Sequence, residues 1–530
     1  MSIVADGWIS GISPLDGRNL EKVRVSSPVE VAAAVEKATQ AQEKWAKQPI
    51  RERAQIVEKA GCHLMSHADE IAAILHLELG KPLTDTYAVD LGSAPEVFHY
   101  YARHAANFLR SETVHFNPVK FPRKHGKIER LPHGVVSLIT PWNYPVSIPL
   151  HNLVPALIAG NSVILKPSEY AARTTSVLYR LLSEGLPEGL LGLVQGDGAT
   201  GEALLRADVN YVVFVGGALA GKAVARLAAE KLIPVSLELG GKDAAIVLED
   251  ADLDRAANGI AWAGFVNAGQ SCAGVERVYV VEAVAEAFKQ KLVQVAQSLK
   301  VGDDTAAPGS VDIGPLSNPR QFALARDQVN QAVQAGAILD CGGEMRGEGL
   351  FYRPAVLSNV NSTMSLMQEE TFGPVVPVQV VPDEASAIQE ANRTCYGLTG
   401  SVWTRDLARG ERVAGQLQVG VATVNNHMFS GAAPQAPWMG QANSGYGVQN
   451  SKLALLAMTR PRLLVVDAHR TPRELWWLPN DRAMHDLGRG MLLTQGAFKA
   501  APLKWLGLYL KLLRGVAFRL AWQRRRNHPS

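Results

Sequence analysis

The chain has 530 residues, 47% of them hydrophobic and 19% charged, with 47 glycines; this is apolar material for at least two cored domains and excludes a disordered tail or a disulfide-stapled mini-scaffold. Cys62, Cys272, Cys341 and Cys395 lie far apart with no CxxC pair, which argues against a zinc site and fits a reducing compartment, so no metal is expected. The net charge of +3 hides an asymmetry: eight Lys or Arg and no acid lie from Lys499 onward, against 45 basic and 50 acidic residues before it, and a tail of that charge suits nucleic acid or an anionic membrane.

The first residues lack the basic start and apolar core of a secretory signal, so a cytoplasmic chain starting near Met1 is expected. Ser27, Pro28 and Glu30 then form a helix-start signature, followed by Val31, Val35, Ala38 and Trp45 at helical spacing. A second helical stretch is predicted over 51–79, and a third over 86–109, interrupted at Pro95. The alternating stretch 111–129 predicts exposed antiparallel strands of the kind that pair with another subunit. Residues 131–165 carry no charge, yet Pro132, Pro141, Pro145, Pro149 and Pro155 would break a membrane-spanning helix, which leaves buried strand, loop and short helix.

From Gly134 apolar runs (VVSLIT, SVILK, LGLVQ, YVVFV, VSLEL) alternate strictly with helical segments. This predicts a parallel sheet covered on both faces, with ligands bound at the strand C-terminal ends. A second α/β unit is predicted over 244–424, with helices near 253–266 and 283–299 and strands RVYVV, VVPVQVV, GSVWT and VGVATVN.

Within this frame, GGALAG after YVVFV places Gly216 and Gly217 at a strand-to-helix junction, where they serve either as turn residues or as a phosphate cradle. KPSE puts Lys166 and Glu169 just past a strand end, as ribose and phosphate ligands or as an ordinary helix start. Cys272 lies in NAGQSCAG, where flanking glycines leave room for a ligand to approach the thiol. Cys62, Cys341 and Cys395 are read as buried, inert thiols. Phe265, Phe429 and Trp438 are aromatic candidates for either a pocket wall or the core.

PWNYP, KPSE, FVGG, LELGGKD, GQSCAG and EETFGPV, in this order over residues 26–459, resemble the NAD(P)-dependent aldehyde dehydrogenase superfamily. The resemblance implies an α/β fold of two doubly wound parallel-sheet domains with a small antiparallel oligomerisation arm. It divides the chain into an NAD-binding domain (1–110 and 133–239), a catalytic domain (240–435), an arm (111–132 and 436–466) and a C-terminal extension (467–530). It further implies Cys272 as nucleophile, Glu238 as general base, and an oxyanion hole from the Asn143 amide and the Cys272 backbone N–H. Trp142, Lys166, Glu169, Gly216, Gly217, Glu370 and Phe372 are implied as cofactor contacts, with NAD preferred over NADP because Glu169 would repel a 2′-phosphate. The implied reaction is oxidation of an aldehyde, hydrophobic or long-chain, to its acid by a homodimer or homotetramer. The alternatives are a coenzyme A-acylating relative, an acyl reductase, and an inactive structural or membrane-docking homologue. Three places depart from the family pattern: Gly217 stands where Ser or Thr is usual, the usual PFGG appears as PWMG, 437–440, and VQNSKLALLAMT, 448–459, follows SGYG where Gly and Glu are usual.

The extension ends in a predicted amphipathic helix, 502–526, with Lys504, Lys511, Arg514, Arg519, Arg525 and Arg526 on one face and Trp505, Leu506, Tyr509, Leu510, Leu513, Val516 and Leu520 on the other. It is too charged to span a bilayer and suits the interface of an anionic membrane; without a nucleic-acid-binding signature, no nucleic-acid partner is expected.

Overall fold

The computed structural model describes residues 3–118, 121–347, 349–470, 474, 476–478, 480–497 and 502–526. The first helix, Pro28–Trp45, opens as its sequence dictates: the Ser27 hydroxyl accepts the Glu30 N–H while the Glu30 carboxylate accepts the Ser27 N–H. The second stretch is two helices, Ile50–Met65 and Ala68–Leu79, not one. At the break, the Ser66 hydroxyl donates to the His63 carbonyl, so a side chain competes with the helix ladder. Pro95 starts the helix Ala94–Phe108 and does not interrupt it, because its fixed φ and missing N–H suit a first turn; a π-helical turn, Thr86–Leu91, precedes it.

The first large sheet has the strand order Gly445–Tyr446, Val235–Glu238, Tyr211–Val215, Val135–Thr140, Ser162–Pro167, Leu191–Leu193. All pairings are parallel except that of the returning edge strand Gly445–Tyr446. Successive side chains sort to opposite faces. Val136, Leu138, Val163, Leu165 and Val213 pack under helices Ile50–Met65, Ala94–Phe108 and Ser147–Ala159. Val135, Ile139, Ile164, Val212 and Phe214 pack under Pro28–Trp45, Gly198–Arg206 and Ala218–Glu230. Burial of both faces is why these strands read as continuous apolar runs. The chain moves outward from Val135–Thr140 and returns beside it with Tyr211–Val215, which creates a topological switch point between them.

The second sheet has the order Ile338–Cys341, Ala355–Ser358, Val375–Val381, Val275–Val281, Asp243–Val247, Thr399–Trp403, Val421–Val424, parallel but for its first strand. A three-stranded sheet joins Glu112–Val114, Lys124–Pro132 and Thr459–Asp467, and the first two strands pair antiparallel as the alternation at 111–129 requires. Residues 436–458 differ from the arm expected for them. Gly445–Tyr446 pairs with the strand ending at Glu238, and Leu455 and Met458 pack in the first-sheet core.

Residues 112–128 and 463–530 form a separate compact unit. Its helix Pro502–Arg526 lies against a helix not foreseen from sequence, Arg482–Ala497, with Gly490 facing Leu512 and Gly515 facing the buried Leu487. Leu503, Leu506, Leu510, Leu513 and Phe518 remain exposed, as do Lys511 and Arg514. The side chains of Lys504, Arg519, Leu520, Arg525 and Arg526, assigned above to the two faces, lie outside the described residues. No described helix is long and apolar enough to cross a membrane.

Candidate active site

The parallel strands of the first sheet deliver their C-terminal ends to one edge. Val135–Thr140 leads into Pro141, Trp142 and Asn143, Tyr211–Val215 into Gly216 and Gly217, and Val235–Glu238 ends on Glu238 itself. At this switch point lies a cavity of about 200 Å³ lined by Trp142, Asn143, Gly216, Gly217, Glu238, Cys272, Glu370 and Phe372. A second cavity, about 290 Å³, shares Glu238 and Cys272 and is otherwise lined mainly by apolar groups, among them Ile148, Trp262, Met428, Phe429 and Trp438. Phe265 is core, while Trp438 and Phe429 are wall.

Cys272 sits on a loop that follows the helix Leu253–Phe265. Asn267 and Ala268 adopt left-handed backbone at φ 54° and 55°, a costly conformation for non-glycine residues that is stored just before the thiol. The Asn267 side chain braces it, donating to the Asn143 and Gln270 carbonyls at 3.0 Å each. The loop's own backbone bonds run from Gln270 N to Asn267 O and from Gly274 N to Ser271 O and bypass the Cys272 N–H. The Asn143 Nδ2 donates to the Gln270 carbonyl at 3.1 Å, which leaves its second N–H to serve another acceptor. Lys81 pins the Asn143 carbonyl at 2.8 Å and pairs with buried Asp90 at 2.7 Å.

Burial raises the Cys272 thiol well above its ordinary range, and the Glu238 carboxylate adds to the shift. Burial likewise pushes Glu238 up to about 7, against the Cys272 thiol and the Trp438 indole, which favour its ionised form. Two neighbouring groups with raised values therefore face each other: a thiol that needs a base, and a carboxylate able to act as one near neutrality.

On the other cavity, the helix Ala218–Glu230 has no side-chain cap, and a Cβ on Gly217 would meet open space. The exposed amides of this N-terminus suit a phosphate without help from a hydroxyl. Trp142 and Phe372 meet edge to face, ring centroids 5.6 Å apart. Glu370 accepts the Gly241 N–H at 3.1 Å; its carboxylate packs so closely on Gly240 that any Cβ there would collide with it. Burial, then the nearby Glu276 charge, raise Glu370 to about 8.

Lys166 and Glu169 are brought to the end of the neighbouring strand but line neither cavity. Lys166 donates to the Pro167 carbonyl at 2.9 Å, and Glu169 accepts the Ser168 hydroxyl at 3.3 Å. Cys62 and Cys395 are exposed and not the buried thiols expected; Cys62 falls off the buried stripe of its helix, whose buried positions are 53, 54, 57, 60, 61 and 64.

The sequence reading missed Glu276 and Lys242. Glu276 accepts from the Thr371 and Phe372 backbones and from Lys242 Nζ, fixing the loop that carries Glu370 and Phe372. The available signal was a Glu-Arg pair inside the apolar strand VERVYVV, since buried charges require partners.

The model of the aldehyde dehydrogenase family matches residues 5–464. The chain is 36% identical to the 4,4'-diapolycopene aldehyde oxidase of a Methylomonas species, over 91% of this chain and 90% of that one. It is 35% identical to a candidate succinate-semialdehyde dehydrogenase [NADP(+)] of Mycobacterium ulcerans, over 84% and 86%. Among solved structures, betaine aldehyde dehydrogenase from Staphylococcus aureus in complex with NAD+ superposes with a TM-score of 0.84 at 30% identity, covering 89% of this chain and 94% of that one.

Proposed function

The chain belongs to the aldehyde dehydrogenase family, whose members are oxidoreductases acting on aldehydes, and on that premise we propose that it oxidises an apolar aldehyde to the carboxylic acid, with NAD as hydride acceptor, through a thioester on Cys272. The observation that carries this reading is that Cys272 and Glu238 stand in the wall shared by two cavities, one edged by an uncapped helix N-terminus and one apolar. Glu238 takes the thiol proton, and the thiolate adds to the aldehyde carbon to give a thiohemiacetal. The free Asn143 N–H and the Cys272 backbone N–H stabilise its oxyanion, at about 3 to 4 kcal/mol per donor. NAD, when bound, takes up the hydride that leaves the substrate carbon as the carbonyl re-forms. Glu238 releases the thiol proton to solvent and is again a carboxylate; it then accepts a proton from water, the hydroxide adds to the thioester, and the C–S bond breaks to release the acid, the departing thiolate taking the proton back from Glu238.

Gly216, Gly217 and the amides of the helix Ala218–Glu230 would hold the pyrophosphate, Glu370 and Phe372 the nicotinamide half, and Lys166 and Glu169 the adenosine ribose. Glu169 favours NAD by repelling a 2′-phosphate, and Lys166 tempers that preference so that NADP is used less well. The substrate class rests on the second cavity: its lining rewards buried hydrocarbon. A base beside the thiol favours water over coenzyme A as acyl acceptor, and the intact cysteine-carboxylate pair disfavours a retired structural protein.

Two surfaces extend the reading. The edge strand Thr459–Asp467 exposes Leu463, Leu464, Val465 and Val466, which supports pairing with a second copy in a homodimer or homotetramer. The exposed leucines of Pro502–Arg526 beside Lys511 and Arg514, in a tail of eight basic residues and no acid, support docking on an anionic membrane. An NADH absorbance assay with an apolar aldehyde tests the activity: turnover without coenzyme A is expected. Turnover that requires coenzyme A would assign the acylating reaction, and none with any aldehyde would overturn the proposal.

A further inference from the structure

Trp438 lines the apolar cavity that also holds Cys272 and Glu238. Its backbone is pinned by reciprocal bonds with Gln449, 2.8 Å each way, and its ring packs with Ala273 and Leu398 and over Gly431, where a Cβ would lie 3.4 Å from the ring. Packing thus fixes the indole plane. Indole nitrogen is a donor with no acceptor capacity, so its burial requires a partner. That partner is the carboxylate of Glu238: Trp438 Nε1 donates to Glu238 Oε1 at 3.3 Å. Trp438 therefore does more than wall the apolar cavity.

We propose that the Trp438 indole N–H is a positioning donor that fixes the Glu238 carboxylate beside Cys272, so that one carboxylate serves the thiol first and the hydrolytic water second. This rests on the covalent reading above and deepens it. Held through Oε1 by a residue of the second-cavity wall, the Glu238 carboxylate keeps its place beside Cys272. The same bond favours the ionised carboxylate against the burial that disfavours it. The titratable groups around it are the Cys272 thiol, Glu370 in the wall of the first cavity, and Tyr144 and His151 in that of the second. Of these, the thiol interacts with Glu238 directly.

The test is Trp438→Phe, which keeps an aromatic wall and deletes the donor. The acid limb of the kcat profile should move up by roughly one pH unit, the scale of one hydrogen bond to a charged group. Turnover should fall about fivefold at pH 7 and recover above about pH 9, while the NADH burst stays near one per site. An unmoved limb with activity lowered equally at all pH values, or with only KM for the aldehyde raised, would make Trp438 a wall residue and overturn the proposal. Should the variant fail to fold, the indole 15N–1H resonances of the native protein decide. One should titrate with a midpoint near 7 and lose that dependence in Glu238→Gln; no titrating indole overturns the proposal. Normal turnover in Cys272→Ser or Glu238→Gln would instead defeat the covalent reading beneath it.

Discussion

Glu276 accepts the Phe372 backbone N–H at 2.8 Å, two residues beyond Glu370. Phe372 holds a left-handed φ of 53°, so its loop depends on that anchor. The same carboxylate neutralises buried Lys242 at 2.6 Å. Glu276→Ala should lower stability by about 3 to 5 kcal/mol, because a buried ammonium is left unpaired. Glu276→Gln, which keeps one acceptor, should fold and bind NAD about tenfold more weakly. Denaturant midpoints and cofactor fluorescence titrations measure the two effects.

Burial pushes Glu238 up to about 7. A general base works only when ionised, so kcat should climb as pH rises through about 7 and level off above about 8. The sign is fixed: acid protonates the carboxylate and stops hydrolysis of the thioester. Steady-state rates from pH 5.5 to 9 would record the limb, and Glu238→Gln should lack it.

The apolar second cavity predicts selectivity by chain length. Each methylene buried against Ile148, Trp262 and Phe429 contributes about 0.8 kcal/mol, or roughly fourfold in kcat/KM, until the cavity is full. Trp262→Ala should flatten that slope for long aldehydes and leave acetaldehyde little changed. A flat series in the native enzyme would assign the cavity another occupant.

Much of this architecture was legible because the signals were local. Runs such as VVSLIT and YVVFV are apolar throughout because both faces of the strand are covered, and the Ser27-Pro28-Glu30 start needs only four residues to be read. The glycines around Cys272 likewise mark a loop directly. What escaped depends on distant partners. The bonds of Glu276 reach residues almost a hundred positions away, and Trp438 meets Glu238 across 200 positions. Helix Arg482–Ala497 escaped because four glycine or threonine residues, Gly488, Gly490, Thr494 and Gly496, dilute its periodicity. Of these, Gly490 faces Leu512 of the neighbouring helix, and Thr494 is buried.

The helical hairpin predicts a charge-dependent membrane affinity. Truncation at 501 would bare Leu487, so the cleaner variant is Lys511→Gln with Arg514→Gln, both exposed. Two charges at about 1 kcal/mol each should weaken binding to phosphatidylserine vesicles roughly 30-fold in a flotation assay. Activity on a short, water-soluble aldehyde should be unchanged. Equal flotation of both proteins would assign the exposed leucines to a protein partner instead.

The covalent role of Cys272 is tested most directly by mixing Glu238→Gln with NAD and an aldehyde, then recording NADH and intact mass together. Because Glu238 also deprotonates the thiol, the account predicts that NADH forms slowly, reaches about one per site and stalls, with the mass of one acyl group located on Cys272 by peptide mapping. NADH formed with no adduct on Cys272, or an adduct on another residue, would contradict it.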